Sequence, residues 1–399
     1  MMGIHNHEKD YERALLKLES TAISDKNKAL ILEFRDDLIL ENLSKIRLTK
    51  YVLSLRIIAE RAKLDFDKFK LEDIKKVISE IQQRDYSMWT KKTYKIIIRR
   101  FFRWLHKTKG CNDIYSWISL KVNMAERKLP SEGDLLNELD IQKLLASAQH
   151  PRDKALISLL WESGARVSEI GNLCLKHISF DKNGVVLSVK GKTGSRKIRL
   201  ISSTPYLMAW VNNHPFRNDS NSPLWINVGC VNYNKQLKYG NLRKILRILT
   251  AKAEIKKKCN PHLFRHSRAT YMANHLTEFQ MNQYFGWIQG SDMPSTYVHM
   301  SGRDIDDAIL TMNGVKTEEL KKESQMLPRI CPRCDTINAY DSKYCSKCAG
   351  ILDLKFAMEL EQRQQEEMKM RNSTDELMNR LLRDKDVQKL LMEKLQMMA

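Results

Sequence analysis

Asn260-Pro-His-Leu-Phe-Arg-His-Ser267 is the stretch that decides how this chain is read, because it sets His262 and Arg265 three residues apart just after a proline. Upstream lies Glu162-Ser-Gly-Ala-Arg-Val-Ser-Glu-Ile170, which carries Arg166 and Glu169, and downstream lies Ser295-Thr-Tyr-Val-His299, centred on Tyr297. A guanidinium presents a planar fork of donors that grips two non-bridging phosphate oxygens at once. A tyrosine hydroxyl is a covalent nucleophile once something activates it. Two arginines, a histidine and a tyrosine in this order point to phosphodiester chemistry that needs no metal.

Composition agrees with a polyanionic partner. The 399 residues exceed one ordinary domain, so two or three are expected, and 42% hydrophobic with 29% charged residues describes folded protein. Neither a run of eighteen uncharged apolar residues nor a signal-peptide core is present, which predicts a cytoplasmic, nucleoid-associated protein with no membrane partner. Net charge is +20, and the 353–399 tail holds nine basic against ten acidic residues, so the positive excess lies entirely before it. Such an excess favours nucleic acid first and an anionic surface second.

The chain divides by pattern. Residues 1–23 read as an N-terminal segment. Residues 24–120 read as a helical bundle, with Leu30, Phe34 and Leu38, then Leu71, Ile74, Ile78 and Ile81, then Tyr94, Ile97, Ile98, Phe101, Phe102 and Leu105 at helical spacing. Lys91, Lys92, Lys95 and Arg99 surround the last segment and suit a phosphate backbone. Residues 121–136, with Pro130 and Gly133 among charges, form a linker. Residues 137–315 read as a mixed α/β domain, in which Val185–Val189 and Lys197–Ile201 are strands flanking the turn Lys190-Gly-Lys-Thr-Gly-Ser195. A nucleotide-binding loop is excluded there, because the earlier glycine it needs is Val186. Beyond Lys316 a charged helix is expected, then a cysteine-rich segment at 328–352 and a helical tail at 353–399. In the tail, Ser373-Thr-Asp-Glu376 reads as a capping box that starts a second helix.

These residues resemble the tyrosine recombinases, the family of phage integrases and chromosome-dimer resolvases, over roughly residues 24–315. Arg166 is similar to the first catalytic arginine, with Glu169 at the accompanying acidic position. Lys192 falls where the family has its hairpin lysine, although Lys190 and Lys197 are rivals. His262 and Arg265 match the His-x-x-Arg box, Trp287 the site filled by His or Trp, and Tyr297 the nucleophile. The resemblance implies a helical DNA core-binding domain and a mixed α/β catalytic domain in a multidomain, mainly α chain. It implies a site-specific recombinase that cuts and rejoins double-stranded DNA through a 3′-phosphotyrosine, without ATP or catalytic metal, and that self-associates as a dimer or tetramer on DNA. In this chemistry His262 positions or deprotonates the tyrosine, while Trp287 can only donate a hydrogen bond or pack. A type IB topoisomerase-like relaxation and a catalytically inactive DNA-binding architectural protein are the alternatives.

Of eight cysteines, Cys331, Cys334, Cys345 and Cys348 form two C-x2-C knuckles ten residues apart. In a reducing compartment that pattern predicts one structural Zn2+ held by four thiolates with no open position. This ribbon and tail have no counterpart in the resemblance. The ribbon can contact DNA or protein, and Leu377, Leu381, Leu391 and Leu395 can dock on a neighbouring subunit or fold back on their own domain.

Overall fold

The computed structural model describes residues 3–121, 131–191, 194–300, 309, 312–314 and 324–398. Most of the expected linker (122–130), the hairpin turn containing Lys192 and most of the charged helix after Lys316 therefore lie outside the described residues. The chain forms two compact units, residues 1–131 and 132–399.

Among the described residues the first unit is a bundle of five α-helices: α1 (His7–Glu19), α2 (Asp25–Leu40), α3 (Lys45–Ala62), α4 (Leu71–Gln83) and α5 (Met88–Lys109). Side-chain caps set the starts: Ser24 accepts from the Asn27 amide and Ser87 from the Thr90 amide, each at 3.2 Å. The predicted apolar stripes face inward, and Phe34, Phe66 and Phe101 pack edge-on with centroids 4.8–5.2 Å apart. Residues 1–23 are more than a leading segment. Helix α1 packs on α3, and its Ala14 and Leu18 are buried in the bundle's core, so four residues of separation carry the small apolar face that the expectation overlooked.

The second unit starts with α6 (Glu138–Ser147), α7 (Pro151–Ser163) and α8 (Val167–Gly171). An antiparallel sheet follows, ordered β1 (Ile178–Asp181), β2 (Gly184–Gly191), β3 (Gly194–Leu200). Then come α9 (Thr204–Asn212), α10 (Tyr239–Lys252), α11 (Pro261–Ala273), α12 (Glu278–Phe285) and α13 (Met293–Met300). Strand alternation buries Val185, Leu187 and Val189 of β2 and Ile198 and Leu200 of β3 against α7 and its neighbours. Strand β1 was not anticipated, and the flanking strands are longer than their apolar cores suggest: Lys190 pairs with Ser195 and Gly191 with Gly194. Polar side chains do not stop an antiparallel ladder, so pairing continues to the two glycines.

A two-stranded ribbon, β4 (Arg329–Ile330) and β5 (Ile337–Asn338), sits against α9 of this unit; Tyr340 and Met326 belong to the same hydrophobic cluster as Tyr206. The tail is α14 (Leu354–Arg383) and α15 (Lys385–Met398). Here the expected capping box is wrong. Ser373 and Thr374 stand mid-helix, their hydroxyls donating to the Met370 carbonyl at 2.8 and 2.9 Å. The break falls at Asp384, whose carboxylate accepts from the Asp386 amide at 2.8 Å. The Ser373 and Thr374 hydroxyls bond back to a carbonyl within the helix and so do not cap, whereas the Asp384 side chain takes up a free amide of the next helix. Among the described residues, no helix is long and apolar enough to cross a membrane.

Candidate active site

Two helix C-termini build the site. Helix α7 stops at Gly164, in the left-handed conformation (φ 52°), where an added β-carbon would lie 2.8 Å from the Phe285 ring. Its carbonyl accepts from Arg265 Nη1 at 3.0 Å. Helix α12 stops at Gly286 (φ 62°), whose β-carbon would lie 2.7 Å from Arg196 Nη1. Here Gly286 O accepts from Arg166 Nη2 at 3.0 Å, and Phe285 O accepts from Arg265 Nη2 at 2.8 Å. The carbonyl end of a helix is its negative end, so each arginine is held where a cation is favoured. Arg265 is only 7% exposed. Burial, helped by the neighbouring charge of Arg166, brings its guanidinium down to about 10, still protonated at neutral pH.

Arg166 is the N-cap of α8, and Glu169 one turn on accepts from the Arg166 amide at 2.9 Å and from Arg166 Nη1 at 3.1 Å. Arg196 of β3 closes on the same carboxylate with both terminal nitrogens, at 2.9 and 2.8 Å, while its Nε donates to Tyr284 O. Burial would raise the Glu169 carboxyl, but these arginine contacts outweigh it and hold the group below its ordinary range. Gly191 of β2 rests directly on Glu169, so the hairpin's flank adjoins the site.

Helix α13 brings in Tyr297, 2% exposed, with its ring stacked on Trp287 (centroids 5.4 Å, planes 4° apart). Trp287 also stacks on Phe285 (centroids 4.8 Å) and has the Arg265 guanidinium 5.3 Å from its indole centroid. The phenol hydroxyl is hydrogen-bonded to His266 Nδ1 at 2.7 Å.

Arg166, Glu169, Arg265, Trp287 and Tyr297 thus converge from segments far apart in the chain. His262 shares α11 with Arg265 but is exposed in the first turn, its amide donating to Asn260 Oδ1 at 3.0 Å. Lys192 is not among the described residues. Two residues of the cluster were missed, Arg196 and His266. Each had a signal: Arg196 has the strand parity of buried Ile198 and Leu200, and His266 lies four residues, one helical turn, after His262. In the first unit Lys91, Lys92, Lys95 and Arg99 are half-buried on α5, with the Lys92 ammonium 5.4 Å over Trp89. Among the described residues none of these four is in an ion pair, unlike Arg100, which pairs with Glu41.

In the ribbon, the sulfurs of Cys331, Cys334, Cys345 and Cys348 all lie within 4.8 Å of one another, with Cys331–Cys348 and Cys334–Cys345 at 3.5 Å. A tetrahedral Zn2+ with bonds of about 2.3 Å needs sulfurs about 3.8 Å apart, so the four fit a metal ion. Buried Asn338 braces the second knuckle, accepting from the Ser346 amide at 2.9 Å.

The hydrogen bonds described use two of the five N–H groups on each of Arg166 and Arg265, leaving donors for the oxygens of a phosphoryl group. Beside them stands a tyrosine hydroxyl in hydrogen-bond contact with a histidine ring nitrogen. That set can bind a phosphodiester and attack it.

Known proteins bear on this arrangement. The pattern of the phage integrase family matches residues 134–303. A tyrosine recombinase of Pseudothermotoga lettingae is 28% identical over 218 residues, 53% of this chain and 71% of the relative. The tyrosine recombinase XerD of Yersinia pestis is 25% identical over 293 residues, 69% of this chain and 94% of the relative. In fold, the chain is similar to the XerH site-specific recombinase solved bound to a palindromic difH substrate in a post-cleavage complex. That likeness has a TM-score of 0.55 and 20% identity over 78% of this chain and 97% of that one.

Proposed function

We propose that the chain, which carries the phage integrase pattern over residues 134–303 and is similar to tyrosine recombinases, transesterifies DNA strands, cutting and rejoining duplex DNA at specific sites through a 3′-phosphotyrosine on Tyr297. The phenol oxygen attacks the scissile phosphorus, the bond to the 5′-oxygen breaks, and a 5′-hydroxyl is freed. Arg166 and Arg265 hold the non-bridging oxygens and stabilise the charge that grows on them. Losing one such donor typically costs about 2.7–4 kcal/mol of barrier. Lys192, next in the chain after Gly191, gives its proton to the leaving 5′-oxygen. His262 meets the phosphate from the head of α11, and Glu169 positions Arg166. Trp287 covers the phenol.

Since the phosphotyrosine conserves the energy of the diester, a 5′-hydroxyl from a second duplex can reverse the step and exchange strands. Two duplexes require at least two copies of the chain, so assembly on DNA as a dimer or tetramer belongs to this reading. The basic face of α5, where Lys91, Lys92, Lys95 and Arg99 make no ion pair among the described residues, supplies phosphate contacts in the first unit. One structural Zn2+ holds the ribbon through its four cysteines, and the work is done in the cytoplasm, on the nucleoid.

The observation that carries the proposal is the shared Trp287 ring, which has the Tyr297 phenol against it at 5.4 Å and the Arg265 guanidinium at 5.3 Å. The test uses nicked duplexes selected from a random-sequence pool by binding to the full-length chain. Wild type is expected to form a protein–DNA adduct that survives denaturing electrophoresis and maps to Tyr297 by mass spectrometry. Tyr297→Phe should bind equally and form none. An adduct in the Phe variant, or one mapped elsewhere, overturns the assignment.

A further inference from the structure

We propose that His266 is the general base that takes the proton from Tyr297, a role that rests on the reading of Tyr297 as nucleophile. The sequence directs attention to His262, yet that side chain is exposed in the first turn of α11. One turn later His266 puts Nδ1 2.7 Å from the phenol oxygen, with the two rings tilted at 39° and centroids 5.8 Å apart. The proposal takes the phenol as the donor, with Nδ1 bare and the neutral imidazole carrying its proton on Nε2. That is the tautomer a base requires before the reaction.

Exclusion of water strengthens the case. Tyr297 is 2% exposed, and its ring is capped by Trp287. A phenolate forming there needs a protein group in contact to receive the proton, and geometry within 2.6–3.2 Å is the first requirement of a general base. In the step itself the Tyr297 O–P bond forms as the phenolic proton passes to His266 Nδ1. The P–O5′ bond breaks as the leaving oxygen receives a proton from the acid on the opposite side. When the 5′-hydroxyl returns, His266 gives the proton back to the departing phenolate. The histidine pair on α11 therefore divides the labour that the sequence assigns to one residue: His262 faces the phosphate and His266 serves the nucleophile.

His266→Asn tests this, since the amide oxygen can accept the phenol's hydrogen bond but cannot carry its proton. Cleavage of the selected nicked duplex is measured in single turnover, with an ordinary scissile phosphate and with sulfur in place of the bridging 5′-oxygen. A thiolate leaves without protonation, so a defect in the acid vanishes on the sulfur substrate and a defect in the base persists. Expected are wild-type DNA binding and a loss of about 10²–10⁴-fold on both substrates, the usual yield of general acid–base catalysis. His266→Gln repeats the measurement if the Asn variant melts early. Cleavage within about threefold of wild type, or a loss that the sulfur substrate repairs, overturns the assignment. Tyr297→Phe run alongside separates the two readings: an adduct there sinks the nucleophile itself, whereas active His266 variants beside an inert Phe variant sink only the base.

Discussion

Replacing Glu169 by alanine should damage the protein twice. The carboxylate is 3% exposed as a residue and accepts four hydrogen bonds, two from Arg166 and two from Arg196. Arg196 keeps its backbone partner at Tyr284, but its side chain, 11% exposed, would be left without a counter-charge. Breaking one side of a buried pair costs about 3–5 kcal/mol. At 2–4 °C per kcal/mol for a domain of this size, the midpoint of thermal unfolding should fall by roughly 6–20 °C. Cleavage should also slow by up to about 10²–10³-fold, because Arg166 loses the contact that aims it. The companion variant Arg196→Met and the double variant complete a cycle: the double should cost less than the sum, since it leaves no lone buried charge. Acid adds a second readout. The folded Glu169 carboxyl is held below its ordinary 4.5, so its contribution is complete above that pH and drains away as pH falls through the depressed folded value. Asp181, Asp219 and Asp353 are also held low and add their own acid limbs, so Glu169→Ala should lose stability less steeply than wild type there, by the share that Glu169 supplies. Additive single variants, each costing under about 1 kcal/mol, would show that the pairing does not organise the site.

Gly286→Ala should slow cleavage far more than it weakens DNA binding, because a β-carbon there meets Arg196 Nη1 at 2.7 Å at a left-handed backbone position (φ 62°) and shifts the carbonyl that holds Arg166; an unaltered cleavage rate would deny that carbonyl its role in placing the arginine. Trp287→Ala should free the Tyr297 ring and cut the cleavage rate with little change in the melting midpoint, and an unaltered rate would deny the indole its role in placing the phenol. Native mass spectrometry should find one zinc per chain. Chelation should make residues 328–352 sensitive to protease while strand cleavage survives, and loss of cleavage would mean that the ribbon shapes the catalytic cluster.

Much of the second unit's site was legible because each signal was local. Arg166 follows a glycine that ends one helix, Arg265 sits behind a proline that starts another, and Tyr297 stands in a short polar helix. What escaped were residues whose meaning depends on a partner far along the chain. Arg196 looks like one cation among several on a basic strand, and only the placement of Glu169 beneath β3 turns it into a buried ion pair. His266 reads as an ordinary core histidine until α13 lays Tyr297 across it. In the bundle, apolar stripes announced α2, α4 and α5; α1 carries one as well, with Tyr11 and Leu15 packed beside buried Ala14 and Leu18 at helical spacing, but it is short and set among charges. In the tail the error ran the other way, since a strong local motif at Ser373 lost to the helix around it.

The partners chosen for the arginines follow from charge. A carboxylate dedicated to each guanidinium would orient it but cancel it. Here Arg265 is oriented by two carbonyls, those of Gly164 and Phe285, and keeps its whole charge. Arg166 does share a carboxylate, but Arg196 claims the same Glu169 with two shorter bonds. Three guanidiniums around one carboxylate leave an excess of two positive charges at the cluster. A phosphodiester enters with one negative charge and gains a second as phenolate attack makes it pentacoordinate. On the proposed mechanism this fixed excess acts more strongly on the more negative transition state than on the ground state, which is the condition for fixed charges to lower a barrier instead of merely tightening binding.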